Sequence, residues 1–127
     1  MSFFLDTHTV LWLLRNDPQL SPVARAIAEE SKHQLLFSLA SLWEIAIKVR
    51  RGRLDLRCTM KEFVEQIGET GLRIRMLQTE HVCLVATMPL HHGDPFDRIL
   101  AAQSLLDQIP LVSRDVMFDA YGVDRIW

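Results

Sequence analysis

The sequence predicts an α/β fold of three layers, α/β/α, in which helices cover both faces of a mostly parallel central sheet. Short apolar runs alternate along the chain with longer segments of helical periodicity. Parallel strands need long crossover connections, and helices between strands are typical of such connections. With 127 residues and 49% hydrophobic composition the chain can bury a substantial core, so we expect a single domain over residues 1–127.

The predicted elements follow in the order β-α-α-β-α-α-β-α-α-β-α-β. The strands are short apolar runs, the third alternating like an edge strand, at residues 3–5, 34–38, 72–77, 110–113 and 123–127. Most of the helices begin at a capping residue or at proline in the first turn. Their predicted starts are Asp6 or Thr7, Ser21, Ser41 as part of a Ser41-to-Glu44 capping box, Thr59, Thr79, about Phe96 and about Met117.

Composition and charge narrow the class of protein. The net charge is −2 and the isoelectric point is about 6.2, so any nucleic-acid binding must come from a local basic patch. Cys58 and Cys83 show neither a disulfide framework nor a metal-binding spacing, which is typical of a reducing compartment. Because no signal peptide and no apolar run of about 18–20 residues is evident, we expect a cytoplasmic protein without membrane contact.

Four acidic residues each follow a strand-like segment and lie at or just inside a helix start. They are Asp6, Glu44, Asp97 and Asp115. The carboxyl ends of parallel strands open on one edge of the sheet, where ligands bind in α/β proteins. Carboxylates that meet there repel one another unless a cation lies between them, and a hard divalent ion prefers oxygen ligands.

Each acid also has an ordinary structural interpretation. Asp6 can cap a helix, Glu44 can be the third-position acid of a capping box, and Asp97 can interact with a helix dipole in the first turn. Asp115 can cap a turn after a strand. Capping alone would place acids at either edge of the sheet, whereas all four follow strand-like segments, and this favours a shared site.

The four segments that carry these acids resemble PIN-domain ribonucleases of the VapC toxin type. The segments are FLDTHTVLWLL, SLASLWEIAIKVRRGRL, HHGDPFDRILAAQ and LVSRDVMFDAYGV, and together they cover nearly the whole chain. The resemblance implies that the acids bind Mg²⁺ or Mn²⁺ and support hydrolysis of RNA. It also implies a homodimer and a toxin–antitoxin pair, whose antitoxin covers the acidic groove. Asp97 matches the family's late-helix motif better than Asp94, for which we expect a loop role.

Polar residues near the acids have two interpretations. Thr7 and Ser38 are expected either to hydrogen-bond the carboxylates or a metal-bound water, or to cap a helix and a turn. His8 is expected at the surface or in packing rather than at the substrate. His91, His92 and Asp94 resemble a second metal cluster, but without further ligands we favour an ordinary loop.

Basic residues close to the acids are candidates for binding RNA phosphates. The segment that includes Lys48 and Arg51 holds five basic residues in ten positions, although it can equally be a solvated helix end with Lys48 paired to Glu44. Arg98 and Arg114 flank two of the acids and are the stronger candidates. Trp12 and Trp43 are expected in the core or at a dimer interface rather than as stacking platforms for bases.

Two other functions remain open at this point. An aspartyl-phosphate mechanism would use Asp6 as nucleophile, but the dehalogenase pattern requires a second Asp two residues later, where the chain has His8. A non-catalytic interaction scaffold of the same fold is the main alternative. The intact set of four acids argues against it.

Overall fold

The structure, a computed structural model, describes residues 1–127 and contains a five-stranded sheet in which every strand pair is parallel. The order across the sheet is β3-β2-β1-β4-β5. The strands are β1 (Ser2–Leu5), β2 (Gln34–Ser38), β3 (Arg73–Arg75), β4 (Leu111–Val112) and β5 (Arg125–Ile126).

Six α-helices and one 3₁₀ helix connect these strands, in the order predicted from the sequence. The α-helices are α1 (Thr7–Leu14), α2 (Pro22–Glu29), α3 (Leu39–Arg50), α4 (Met60–Glu69), α5 (Thr79–Val85) and α6 (Pro95–Asp107). The 3₁₀ helix spans Val116–Tyr121 and replaces the short α-helix expected there. None of these helices is long and apolar enough to span a membrane.

The buried side chains form two apolar clusters, one on each face of the sheet. In β1, Phe3 and Leu5 belong to the cluster that includes residues of α1 to α4, whereas Phe4 belongs to the cluster that includes α6 and the 3₁₀ helix. Strand residues alternate between faces, and burial on both faces explains why this strand is a continuous apolar run. The predicted α/β/α layering is therefore confirmed.

Most predicted helix starts are confirmed by their capping hydrogen bonds. Asp6 caps α1, Ser21 caps α2, and Thr59 forms a capping box with Glu62 in α4. The start predicted at Ser41 is wrong, because Ser38 caps α3 and Ser41 is buried inside the helix.

The corrected start of α3 changes the interpretation of Glu44. This residue is not the third but the sixth residue of the helix, so it has no role in a capping box. It is nevertheless almost fully buried. Helix capping therefore does not explain why Glu44 is at this position. Because burying a carboxylate costs free energy, its burial needs another reason.

β1 is the topological switch point of the sheet. From this central strand the chain crosses to β2 on one side, and it later returns to β4 on the other. In open α/β sheets, the crevice at the carboxyl ends of such strands is where ligands bind. Because α6 leads into a parallel strand, its first residues lie at this same edge, which brings Asp97 towards Asp6.

Candidate active site

Asp6 directly follows the central strand and is only 8% exposed. Its Oδ1 accepts hydrogen bonds from the Thr9 backbone N–H at 2.9 Å and from the Thr9 hydroxyl at 2.6 Å. Its Oδ2 accepts one from the Ser113 hydroxyl. Burial raises the pKa of the Asp6 carboxyl although these donors oppose the shift. Since a carboxylate oxygen can accept two hydrogen bonds, Oδ2 retains acceptor capacity.

Glu44 projects from α3 and has one partner on each carboxylate oxygen. The Thr7 hydroxyl donates to Oε1 at 2.5 Å, and the Lys48 ammonium lies 2.9 Å from Oε2. Thr7 therefore bonds a carboxylate, as one of its two interpretations expected. Lys48 pairs with the acid four residues earlier, which is the structural alternative stated for it.

Asp97 is the acid whose carboxyl is most affected by the other carboxylates of the site. Burial and the nearby carboxylates of Asp94, Glu44 and Asp6 raise the pKa of the Asp97 carboxyl to about 7, with His92 opposing the shift. Asp94 is the residue that caps α6, accepting from the backbone N–H groups of Phe96 and Asp97. An acid with this pKa indicates a site with more negative charge than its protein partners neutralise.

Asp115 joins the cluster through a serine that the sequence analysis did not single out. The Ser113 hydroxyl accepts from the Asp115 backbone N–H at 3.0 Å while it donates to Asp6. The Asp115 carboxylate caps the 3₁₀ helix through the Met117 N–H, as its structural interpretation expected. Its side chain is 39% exposed, so this acid lies at the open side of the cluster.

His92 is a second residue that the sequence analysis did not place in the site. Its Nε2 lies 3.0 Å from Asp97 Oδ2 and 3.7 Å from Asp115 Oδ2. Its Nδ1 accepts a hydrogen bond from the Asp94 backbone N–H at 3.2 Å. In this arrangement the proton is carried by Nε2, and the ring donates to Asp97. The HHGDP segment, which contains His92, was a sequence signal for a polar cluster. The proximity of His92 to Asp115, however, depends on the tertiary fold.

Ser38 and Arg98 do not contact the acids. The Ser38 hydroxyl donates to Gln103 and accepts from the Ala40 N–H, so it caps α3, which is the second of its two expected roles. The phosphate contact expected of Arg98 is wrong. Arg98 is only 8% exposed and is not available to a substrate. Its guanidinium donates to the carbonyl oxygens of three residues and to one hydroxyl; these acceptors are Val85, Met88, Pro89 and Tyr121.

Arg98 instead holds the segment that carries His92. The Tyr121 hydroxyl that accepts from Arg98 also accepts from the His92 backbone N–H at 2.8 Å. Four donated hydrogen bonds compensate for burying the guanidinium charge. The residue next to Asp97 therefore fixes the loop that supplies its histidine partner.

The other candidate basic residues lie around the cluster on exposed positions. Arg114 is exposed beside Asp115, with its guanidinium carbon 6.0 Å from the centre of the Trp12 ring. Arg51 is exposed at the end of α3 and has no hydrogen bond to the acids. Trp12 packs in part against the core, whereas the Trp43 side chain is largely exposed and lies edge-on to Phe96.

The donor set of the cluster fits a hard divalent cation. The groups that converge are carboxylate oxygens, which are the preferred ligands of Mg²⁺, and Lys48 is the one permanently charged cation bonded to them. Ligand atoms of His92, Asp97 and Asp115 lie within 4.8 Å of one another. Because His92 carries its proton on Nε2, however, it is placed as a donor to Asp97 rather than as a metal ligand.

Fold and site together define a parallel α/β domain with an acidic cluster at the carboxyl edge of its sheet. The family model of the PIN domain matches residues 3–124. The chain therefore belongs to the PIN domain family, and the resemblance noted from its four segments is confirmed.

Known relatives cover nearly the whole chain. Ribonuclease VapC22 of Mycobacterium tuberculosis is 25% identical over 111 residues, which is 87% of this chain and 85% of the relative. The structure of VapBC2 from Rickettsia felis bound to a DNA fragment from its promoter matches with a TM-score of 0.72 at 12% identity, covering 99% and 98% of the two chains. The FitAcB structure from Neisseria gonorrhoeae matches with a TM-score of 0.67 at 20% identity, covering 98% and 96%.

We expect Asp97→Asn to stabilise the metal-free protein, and to do so more at high pH. The folded pKa of about 7 lies above the ordinary value of 3.8, so between about pH 4 and 7 the folded state holds a proton that the unfolded state has released. Stability therefore falls as the pH rises through this window. Thermal unfolding in EDTA should show a gain of about 1–4 kcal/mol at about pH 8 and little at about pH 4. A gain that does not depend on pH would contradict this interpretation.

We expect Arg98→Leu to destabilise the fold by about 3 kcal/mol, because it leaves several buried carbonyl groups without donors. Arg114→Leu removes the same charge from an exposed position and serves as the matched control. Urea unfolding of both variants provides the measurement. Equal stability of the two would show that Arg98 is not the structural residue described above.

Proposed function

We propose that this chain is an endoribonuclease that depends on Mg²⁺ or Mn²⁺ and hydrolyses RNA phosphodiester bonds. The observation that carries the proposal is the grouping of carboxylates around Asp97. Burial, and after it the carboxylates of Asp94, Glu44 and Asp6, raise the pKa of Asp97 to about 7, and two of these acids come from other elements. A purely structural acid would be expected to pair with a lysine or an arginine, whereas the Asp97 carboxylate pairs only with His92 and faces three other carboxylates. RNA hydrolysis is the chemistry supported by the relative named a ribonuclease.

We also propose that the chain is the toxin of a toxin–antitoxin pair. Support comes from the VapC relative and from the similar structures, which include VapBC complexes and a toxin–antitoxin complex from Klebsiella pneumoniae. The partner would be an antitoxin protein that covers the acidic cluster. A homodimer, a cytoplasmic location and a single domain over residues 1–127 are further parts of this proposal.

The apolar face beside α3 is a candidate for the homodimer contact. Trp43 lines a cavity of about 300 Å³ whose other walls are almost entirely apolar, and Val82 in the same lining is also exposed. Apolar surface of this kind is typical of a protein interface. The position of Trp43 agrees with the interface role that was one of its two expected roles.

In the proposed reaction, Asp6 and Asp97 would hold the cation directly. Glu44 would bind it through water or orient the attacking water, and Asp115 would complete a looser site. When bound, the divalent cation would neutralise charge on the phosphoryl group and make an attacking water more acidic. Asp6 can offer the free acceptor capacity of its Oδ2, since Thr9 occupies Oδ1. Thr7 and Lys48 hold the Glu44 carboxylate in one orientation.

The alternative functions are less well supported. An aspartyl-phosphate mechanism of the dehalogenase type requires a second Asp two residues after the nucleophile, but His8 holds that position after Asp6. A scaffold without catalysis gives no reason to place Glu44 and Asp97 close enough to raise the pKa of Asp97. A scaffold should also bind no Mn²⁺ through these acids.

The proposal is tested by cleavage of a structured RNA pool with purified, antitoxin-free protein. We expect cleavage in Mg²⁺ or Mn²⁺, none in EDTA, and a loss of at least about 100-fold in Asp6→Asn and in Asp97→Asn. Glu65→Gln removes an exposed acid from α4 and should cleave normally. Cleavage at the wild-type rate in either aspartate variant, with folding checked by circular dichroism, would refute the assignment.

His92 is expected to influence metal affinity through Asp97 without binding the metal. Isothermal titration with Mn²⁺ should show affinity about tenfold weaker in His92→Ala, because partners of metal ligands commonly contribute this much. His92→Gln keeps an N–H donor near the position of Nε2 and should largely restore affinity. His91→Ala is the control, since this neighbour packs edge-on to Tyr121 instead. Equal loss in the Gln and Ala variants would instead favour direct ligation by the imidazole.

A further inference from the structure

A cavity with basic walls lies next to the acidic cluster, between α1 and the end of α3. Its volume is about 230 Å³, and no carboxylate side chain is among its lining residues. The lining side chains used below are Thr7, His8, Trp12, Arg15, Lys48 and Arg53. In a chain with a net charge of −2, this concentration of cationic groups is a local exception.

The cavity is directly joined to the acidic cluster through two of its walls. Thr7 donates to Glu44, and Lys48 forms an ion pair with the same carboxylate. A group bound in the cavity would therefore be separated from the Glu44 carboxylate only by the side chains of Thr7 and Lys48. The lysine charge is partly neutralised by this pair, whereas the side chain of Arg53 is exposed and bonded to no carboxylate.

The aromatic wall of the cavity is held in place by its neighbours. The Trp12 ring lies 5.6 Å from the His8 ring on one side, and the Arg114 guanidinium lies 6.0 Å from its centre. Arg15 is fixed by a hydrogen bond of 2.7 Å to the Asp55 carbonyl. Arg114 in turn precedes Asp115, so a line of basic groups borders the cluster from Asp115 to Glu44.

We propose that this cavity binds a backbone phosphate of the RNA, adjacent to the phosphodiester that is cleaved. The inference rests on the proposed nuclease function and names how that function holds its substrate. At about 230 Å³ the cavity is smaller than the roughly 300–1,000 Å³ typical of sites for whole organic ligands. A small anionic group fits its size and its charge. Arginine forks are suited to phosphate because they donate two parallel hydrogen bonds.

This arrangement also solves an electrostatic problem of the site. RNA must approach a cluster of carboxylates that repels its phosphates, and a basic cavity beside the cluster offsets that repulsion. Binding energy gained at a neighbouring phosphate can then position the scissile one. Because phosphate contacts carry no sequence information, we expect the cavity to contribute affinity without sequence preference.

The test measures binding of a short labelled single-stranded RNA by fluorescence anisotropy in Mg²⁺, with Asp97→Asn as the host protein to prevent cleavage. In this host we expect Arg53→Ala to weaken binding about tenfold and to lower the slope of log affinity against log salt by about one. Arg53→Lys should retain part of the affinity. Arg73→Ala removes an exposed arginine from the edge strand β3 and is the matched control.

The possible results distinguish failure of the cavity proposal from failure of the proposed nuclease function. Equal binding by the Arg53 and Arg73 variants would overturn the cavity proposal, while metal-dependent cleavage by the wild-type protein would leave the nuclease assignment intact. Absence of both RNA binding and cleavage would overturn both. If an acidic peptide binds as tightly as RNA and is equally sensitive to Arg53→Ala, the cavity is a protein-binding site and the proposed ligand is wrong.

Discussion

The burial of a carboxylate at the end of the central strand is the constraint on which the rest of the site depends. Asp6 must be satisfied where water has little access, and its three hydrogen bonds come from Thr9 on the following helix and Ser113 beyond β4. The bond from Ser113 joins residues 107 positions apart in sequence, whereas the two bonds from Thr9 are local. The same bonds therefore cap α1, align β4 beside β1 and fix the orientation of the acid.

The fold could be predicted from the sequence, because it depends on local patterns. Buried parallel strands are apolar runs, and helix starts have capping residues, so the element order followed directly. The capping box predicted at Ser41 failed because Ser38, at the end of a strand, was the earlier capping side chain. Ser41 is followed by Glu three residues later and Ser38 is not, so the sequence pattern favoured Ser41, and only the position at which β2 ends identifies Ser38 as the cap.

The partners of the acids could not be predicted, because they are brought together by long-range packing. Ser113 ends a predicted strand and His92 lies in a predicted loop, and neither position indicates a contact with the acids; in the structure they connect Asp6, Asp97 and Asp115. For Arg98 the error was the opposite one, because a role in the site was expected and the structure shows a structural role. Its position beside Asp97 suggested contact with a phosphate, but α6 directs its side chain towards the loop before the helix, where it is buried among carbonyl groups. Although Arg98 is next to Asp97 in the sequence, its side chain does not point towards the same site.

Acidic and basic side chains are separated over short distances at the carboxyl edge of this sheet, and this separation would allow one small domain to hold the proposed cation and the proposed RNA substrate. The acids are buried or half-buried in the crevice, whereas Arg53 and Arg114 are exposed around it. Burial and repulsion by neighbouring carboxylates raise the pKa of Asp97, and a cation that entered the crevice would relieve the repulsion. The same acids would then destabilise the empty fold and stabilise the loaded one, since a ligand that binds only the folded state stabilises it. Instability of the empty site is in this sense the physical source of its affinity.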